Sequence, residues 1–381
     1  MAKDIGIGFI GHGWIAGVHA RALRTLDQLN LLPGRVKLVH VAGRDEGRAR
    51  DAAARLGFER SSGDWRALAE DADVDVVANL SVEVAHPETS IGALEAGKPV
   101  LCEKPLALSG EEAQRMAEAA DRAGRTAACG YSFRFAPAIQ LAQGLIADRI
   151  GGRPLHFRGT YNVDYAVFAS DEDRAYVPEG GGMIAGLSHL LDTVTIFVDD
   201  PISVMAETVR FPLSTEGDQP VWAPPRHEED AYSAVMRTAT GALVTVSASN
   251  HATGSGTNGH EFTIETTEGA VHWSQENLNH LDVYMRRDED EQLPGFKHVM
   301  VTEEDHPFLA HWWPRGLPVG WDALFVNQWL VFLRAVLDDA PAGEGQASFH
   351  DAVHTAKLCD AIMTSAGEGR RLEFDSHGDL I

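Results

Sequence analysis

The chain has 381 residues, 44% hydrophobic and 23% charged, a balance that supports large buried cores without cross-links. With 32 Lys and Arg against 56 Asp and Glu, its formal charge is −24. That charge repels nucleic-acid phosphates and anionic lipid, so any anionic ligand must be held by a local site. Cys102, Cys129 and Cys359 are far apart and form neither a disulfide framework nor a CxxC motif. No run approaches the ~18–20 apolar residues of a membrane span, and no charged-then-apolar leader precedes the first strand. A reducing, cytoplasmic setting is expected, with no bound metal, no nucleic acid and no membrane.

The first 130 residues alternate short β-branched runs with Ala/Leu/Arg-rich segments. Residues 5–10 read as a strand, 15–29 as a helix, 36–42 as a strand and 46–56 as a helix. An apolar run of strand length covers 73–81, and 87–96 is helical. A strand at 99–103 then precedes a helix that opens with Ser109 as N-cap and Glu112 three residues on. Such alternation predicts a doubly wound parallel α/β sheet with helices on both faces. Its strands are continuously apolar because both faces are covered.

Beyond residue 150 the pattern changes. Segments 155–162, 203–210, 231–238, 242–249, 261–266, 270–273 and 281–285 read as strands. Residues 163–179, 212–229 and 288–319 read as loops, and 321–337 and 349–366 as helices. Strands without intervening helices predict an open, mostly antiparallel sheet, and hence a C-terminal α+β domain. The boundaries are set at 1–130 and 131–381.

Gly11-His12-Gly13-Trp14-Ile15-Ala16 fits G-x-G-x-x-G/A directly after a strand and at the start of a helix, the context a dinucleotide turn requires. Gly11 permits the tight turn, Gly13 lets backbone approach a pyrophosphate, and Ala16 allows close helix packing. The free N–H groups of the helix start favour the phosphates. At the end of the second strand, Arg44 and Asp45 carry opposite signals. Arg44 suits a 2′-phosphate or an adenine face, Asp45 a ribose 2′-OH, and both also suit the start of a solvated helix. NAD is expected, and NADP stays open.

Leu101-Cys102-Glu103-Lys104-Pro105-Leu106 closes a strand at the edge where a parallel sheet binds its ligand. With the glycine turn, this resembles the glucose–fructose oxidoreductase/inositol dehydrogenase (Gfo/Idh/MocA) family along essentially the whole chain. The likeness rests on residues 8–13 with Ile15, Ala16 and His19, on Ala96-Gly97-Lys98-Pro99-Val100 leading into Glu103-Lys104-Pro105, and on residues 133–138. Gly180-Gly181-Gly182 followed by His189-Leu190-Leu191-Asp192 also fits, as do Trp312-Trp313-Pro314 and Gly320-Trp321 with Phe325.

The resemblance implies a Rossmann domain plus an open-faced sheet domain, assembled as a homodimer or homotetramer. It also implies hydride transfer between a nicotinamide and a carbinol of a sugar, anhydrosugar or cyclitol. By the same carry-over Lys104 and His189 are catalytic, the His moving the proton and the Lys stabilising the alkoxide. The implied cofactor surface comprises Gly11, His12, Gly13, Trp14, Ile15, Arg44, Asp45, Ser81, His86, Glu103, Lys104 and Arg134. Substrate contacts are assigned to Lys104, Tyr161, Asp164, Tyr165, His189 and Asp192.

Three departures from the family pattern stand out. Ala185 occupies the position, one helical turn before His189, where the family commonly has Asp. Ser81-Val82-Glu83 replaces a frequent Thr-Pro-Asn, and Leu317 and Ala323 stand where a subgroup often has His. A rebuilt pocket also admits redox-neutral glycoside cleavage with tightly held NAD, or a nucleotide-binding sensor. His350 and His354, His227-Glu228-Glu229-Asp230 and residues 288–291 read as solvated features. Trp312 and Trp313 read as packing or interface residues.

Overall fold

The computed structural model describes residues 4–164, 182–211, 214–216, 219–221, 229–255, 259–288, 294–343, 345–375 and 380–381; for 149, 182–187, 214–216, 219–221 and 288 it describes the backbone alone. Contacts divide the chain into two units, Met1–Phe135 with Val319–Ala356, and Ala136–Pro318 with Lys357–Ile381.

The first unit begins β1 (Ile5–Ile10), α1 (Trp14–Leu29), β2 (Val36–Ala42), α2 (Glu46–Leu56), β3 (Arg60–Ser62), α3 (Trp65–Ala69) and β4 (Val76–Asn79). It continues with α4 (His86–Glu95), β5 (Val100–Cys102), α5 (Gly110–Ala123) and β6 (Ala127–Cys129). The strands form one parallel sheet in the order β3-β2-β1-β4-β5-β6, the doubly wound arrangement. Every residue of β1 and of β4–β6 is buried, as continuous apolar runs require. The helix ends follow local chemistry. Asp45 caps α2 by accepting from the Arg48 N–H, Ser109 caps α5 through the Glu112 N–H, and Gly57 and Gly124 close them in the left-handed region.

β3, α3 and β6 were absent from the sequence reading because each is only three to five residues long, too short for periodicity. The apolar run at 73–81 shortens to β4, and just before it Asp75 meets Gly6 of β1 twice, its N–H donating to the Gly6 carbonyl at 2.7 Å and its carboxylate accepting the Gly6 N–H at 2.8 Å.

The second unit comprises α6 (Pro137–Gly144), β7 (Pro154–Asn162), α7 (Gly182–Phe197), β8 (Pro201–Val209), β9 (Ser214–Glu216), β10 (Gln219–Val221), β11 (Ala231–Thr238), β12 (Leu243–Ser249), β13 (Gly259–Thr266), β14 (Gly269–Ser274), β15 (His280–Met285) and β16 (Lys297–Met300). Two helices follow, α8 (Trp321–Leu337) and α9 (Phe349–Glu368), and β17 (Leu372–Glu373) ends the fold. Nine strands form a sheet in the order β16-β15-β14-β13-β7-β12-β11-β8-β17, antiparallel except for the β7–β12 pair. One face carries Phe157, Phe262 and Trp273, each buried and worth about 1.5–3 kcal/mol. Phe197 of α7 packs on Phe262 with ring centroids 4.9 Å apart.

Two expected loops contain strands. β9 and β10 pair within 212–229, and β16 within 288–319 pairs with β15. β9, β10 and β16 are only three or four residues long, too short to show the alternation that marks a strand. Residues 165–179 of the first expected loop, Tyr165 among them, lie outside the described residues.

The single boundary drawn after residue 130 misses a return of the chain. α8 belongs to the first unit and packs against α1. Its sequence WDALFVNQWLVFLRAVL is apolar nearly all round, and eleven of its residues are buried. Asn327 fixes it further by donating to the Phe135 carbonyl at 3.2 Å.

Candidate active site

In the first unit the glycine turn and Lys104 follow β1 and β5, at the C-terminal edge of the parallel sheet. Ligands of open α/β sheets bind at that edge. Gly11 has φ +102°, and an added Cβ would stand 2.3 Å from the Leu80 carbonyl oxygen, so only glycine closes this turn. Around Gly13 the situation is the reverse, because a Cβ there would meet nothing within 4 Å. Gly13 caps α1 without a side-chain hydrogen bond, and no acidic residue occupies the first helical turn. The helix start therefore presents uncapped N–H donors to open space, which fits a diphosphate. Trp14 is 75% exposed and stacks on Trp321, the first residue of α8, with centroids 6.5 Å apart.

Beside this turn the imidazole of His12 lies where Gly43 lacks a side chain; a Cβ on Gly43 would stand 2.4 Å from the ring. Asp45 turns its carboxylate toward α2. The Arg48 N–H at 2.9 Å, then the charge of Arg48, hold it below the usual carboxylate range. Asp45 thus caps α2 through Oδ1. Arg44 is exposed.

The Lys104 turn is tied by polar bonds. Glu103 is buried, and its carboxylate accepts from His19 Nε2 at 2.9 Å and from the Lys104 N–H at 3.2 Å. Burial raises its pKa, but the His19 hydrogen bond and the charge of Lys104 outweigh that and keep it below the usual value. His86 is equally buried, with Nδ1 2.9 Å from the Pro105 carbonyl and Nε2 3.2 Å from the Ser81 carbonyl. Burial pushes its pKa below the ordinary 6.5, and the neutral ring donates its one N–H to one of these two carbonyls. Ser81 donates to Asn79 Oδ1 at 2.7 Å, while the Asn79 amide donates to Thr89 and Ser90. The Lys104–Pro105 peptide is cis. Arg134 is buried in the short turn Ser132–Phe135.

In the second unit His189 lies on α7, 8% exposed, with the Tyr161 ring stacked on it at 6.1 Å and 16°. Gly159 makes room for α7, because a Cβ there would stand 2.6 Å from Leu190 Cδ1. Behind them Thr193 donates to the His189 carbonyl at 3.0 Å and contacts His260 Nε2 at 3.3 Å. His260 is fully buried, and burial pushes its pKa down to about 3. Asp192 is buried on α7 and Asp164 lies half-buried just after β7. Tyr161, read from sequence as a sugar contact, is 7% exposed, and its ring stacks on His189.

The family described as "Oxidoreductase family, NAD-binding Rossmann fold" matches residues 5–131, and the Gfo/Idh/MocA C-terminal domain matches residues 139–272. The levoglucosan dehydrogenase of Pseudarthrobacter phenanthrenivorans is 30% identical over 396 residues, spanning 96% of this chain and 97% of that protein. The chain belongs to the Gfo/Idh/MocA family of NAD-binding oxidoreductases.

Among solved structures, an oxidoreductase domain protein from Kribbella flavida superposes with a TM-score of 0.88 at 31% identity, over 98% of this chain and 99% of that one. Levoglucosan dehydrogenase in complex with NADH and levoglucosan superposes with a TM-score of 0.87 at 28% identity, over 97% and 99%. This Gfo/Idh/MocA chain therefore takes NAD, and the open, uncapped turn at Gly13 suits its diphosphate. Among the departures from the family pattern, Ala185 lies in α7, Leu317 is 52% exposed and Ala323 is buried.

Several side readings resolve locally. His350 pairs with Asp121 at 3.0 Å, and no group of three potential metal ligands occurs among the described residues. Glu229 and Asp230 are buried, not solvated, and Asp230 accepts the Phe211 N–H at 2.7 Å; His227 and Glu228 lie outside the described residues. Residues 289–291 also lie outside them. Trp313 is 56% exposed and Trp312 half-buried. Sequence reasoning gave His19 no role and did not single out Trp329 or His260. A buried polar residue six positions after Gly13 on an apolar helix face was the available signal for His19. No described helix is long and apolar enough to cross a membrane.

Proposed function

We propose that this protein oxidises a secondary carbinol of an anhydrosugar of the levoglucosan type, with NAD as the hydride acceptor. The observation that carries this is the pairing of an uncapped glycine turn with a rigidly tied lysine at one edge of the parallel sheet. Full-length likeness to levoglucosan dehydrogenase supports the substrate class. When bound, the nicotinamide supplies the hydride acceptor. The N–H groups of α1 and the backbone of Gly13 hold the diphosphate, and His12 and Arg44 border the adenosine side.

An alcohol releases hydride only as its proton leaves. His189 takes that proton, and the Lys104 ammonium hydrogen-bonds the oxygen as charge develops on it. With Ala185 one turn before His189, α7 offers no carboxylate at that position. Proton transfer then rests on His189, oriented by Tyr161. The test follows absorbance at 340 nm with levoglucosan, other anhydrosugars, free sugars and cyclitols, using NAD and NADP. NADH production with levoglucosan, lost in His189→Ala while NADH still binds, is expected. Release of an aryl glycoside without net NADH would transfer the assignment to redox-neutral cleavage.

The same reading includes a homodimer formed through the outer face of the nine-stranded sheet. A row of paired residues crosses that face from Met205 through Val235, Thr245, Arg158, Thr263, His272 and Asp282 to His298. Val235 is 48% and Met205 46% exposed, apolar surface that a single chain leaves wet. Val235→Lys should convert the dimer to a monomer in sedimentation velocity. Three buried thiols and the absence of a disulfide among them suit a reducing cytoplasm.

A further inference from the structure

Lys104 is held by a buried chain of hydrogen bonds that begins more than two hundred residues downstream. Trp329 on α8 donates its indole N–H to His19 Nδ1 at 2.9 Å. The other nitrogen of the same ring lies 2.9 Å from Glu103 Oε1, and Glu103 Oε2 accepts the Lys104 N–H at 3.2 Å. Trp329 and His19 are wholly buried and Glu103 is 9% exposed. An indole N–H only donates. His19 Nδ1 must therefore offer its lone pair, which puts the ring proton on Nε2, facing the carboxylate. The other tautomer would set two donors face to face at the indole and two acceptors at the carboxylate.

Two further features isolate this chain. Gly130 packs over the carboxylate, where a Cβ would lie 3.0 Å from Glu103 Oε1 and 3.2 Å from its Cα. Aromatic edges close on the imidazole, with Phe325 at 5.2 Å and Trp329 at 5.8 Å from its centroid. A buried carboxylate is expensive unless its oxygens are satisfied, and here the polar partners come from His19 and the Lys104 backbone. The carboxylate is thus committed on both oxygens, and what it fixes at its far end is the first peptide of the lysine turn.

We propose that Trp329, His19 and Glu103 are positioning residues that set the backbone of Lys104 by locking His19 in its Nε2–H form. The indole selects the tautomer, the tautomer orients the carboxylate, and the carboxylate holds the Lys104 N–H. None of the three touches the reacting atoms. The proposal rests on the reading that Lys104 acts on the substrate, and its test separates the two.

The full-length protein is labelled with 15N-histidine, and the His19 ring signals are assigned by their loss in His19→Gln. A pyridine-like Nδ1 and a pyrrole-like Nε2 are expected; the opposite tautomer overturns the proposal, whatever the enzyme acts on. Kinetics follow with Trp329→Phe, His19→Gln and His19→Leu on whichever sugar the native protein oxidises. Trp329→Phe keeps a ring of similar shape. Exchange of the Lys104 amide should accelerate in it, and kcat should fall about tenfold, the worth of one hydrogen bond in a charged network, with KM and the NADH Kd within about twofold. Glutamine can both accept from Trp329 and donate to Glu103, so His19→Gln should retain most of the kcat that His19→Leu loses. If His19→Leu does not fold, Trp329→Phe alone decides. Equal losses in His19→Gln and His19→Leu that track Tm, or native kcat and native Lys104 exchange in Trp329→Phe, would reduce the chain to ordinary packing. A native protein that oxidises none of the sugars counts against the functional reading, while the tautomer and the amide exchange still judge the relay.

Discussion

Around Lys104 the backbone is tied by side chains. Glu103 takes its N–H, His86 reaches the Pro105 carbonyl, and Asn79 anchors the neighbouring Ser81. Around His189 the means are different. A glycine admits the helix to the sheet, an aromatic ring lies flat on the imidazole, and a threonine bonds its carbonyl. The lysine sits on a turn, which has no periodic hydrogen bonds of its own and needs outside partners. The histidine rides on a helix that supplies its own backbone bonds, and a flat ring contact helps to aim it. Polar ties fail abruptly when one partner is lost, whereas packed supports fail by degrees, and mutations should reveal that contrast.

The largest effect belongs to the turn. Lys104→Met removes the ammonium while keeping much of the stem, and should lower kcat by about 10²–10⁴ with the NADH Kd unchanged, as stopped-flow and fluorescence titration would show. A near-native kcat would end the claim that this turn is built around its lysine.

Next comes the glycine turn, where two glycines should respond in opposite ways. Gly13→Val has room for its side chain within the protein and should fold normally, yet weaken NADH about a hundredfold by filling the diphosphate space. Gly11→Ala would press its Cβ on Leu80 at positive φ and should lower Tm before any binding is measured.

A smaller effect probes the packed side through pH. His260 is kept neutral in the fold, with its pKa pushed from 6.5 down to about 3 by burial. The unfolded chain takes up that proton below about pH 6.5, so folded stability should fall as pH drops through this window, at up to ~1.4 kcal/mol per pH unit. His260→Leu should flatten that slope in urea titrations at a series of pH values. Glu103 acts lower on the scale: its folded pKa lies below 4.5, and its contribution is lost only as pH falls through that folded value.

The smallest effect is the ring support itself. Tyr161→Leu removes a stacked pair worth about 0.5–1.5 kcal/mol, so kcat should drop no more than about tenfold, and Tyr161→Phe should restore it. Recovery with phenylalanine would mark the ring as support. A failure to recover would return the hydroxyl to a role toward substrate.

These contrasts also explain what the sequence disclosed. The glycine turn was legible because all its requirements fall within six residues, between a strand and a helix. Lys104 was legible from its own strand and proline. The relay behind it was not, since Trp329 and His19 are 310 residues apart and α8 reads as one more apolar helix. Tyr161 was visible as an aromatic at a strand end, but pattern alone does not separate a ring that faces sugar from one that supports a histidine. Asp45 carries two readings in the sequence because an acidic cap and an acidic ribose ligand share one signature.

The return of residues 319–356 to the first unit bears on how the protein is made. Synthesis runs from the N-terminus, so the six strands of the parallel sheet leave the ribosome before α8 exists. At roughly 5–20 residues per second, the stretch from Phe135 to Val319 takes on the order of ten to forty seconds to add. Through that interval the nascent nucleotide-binding unit carries His19 and Glu103 without Trp329, its α1 face bare. The cofactor half of the enzyme is therefore completed only when α8 emerges and docks, and a growing chain acquires its finished lysine turn only after the sheet of the second unit has been added.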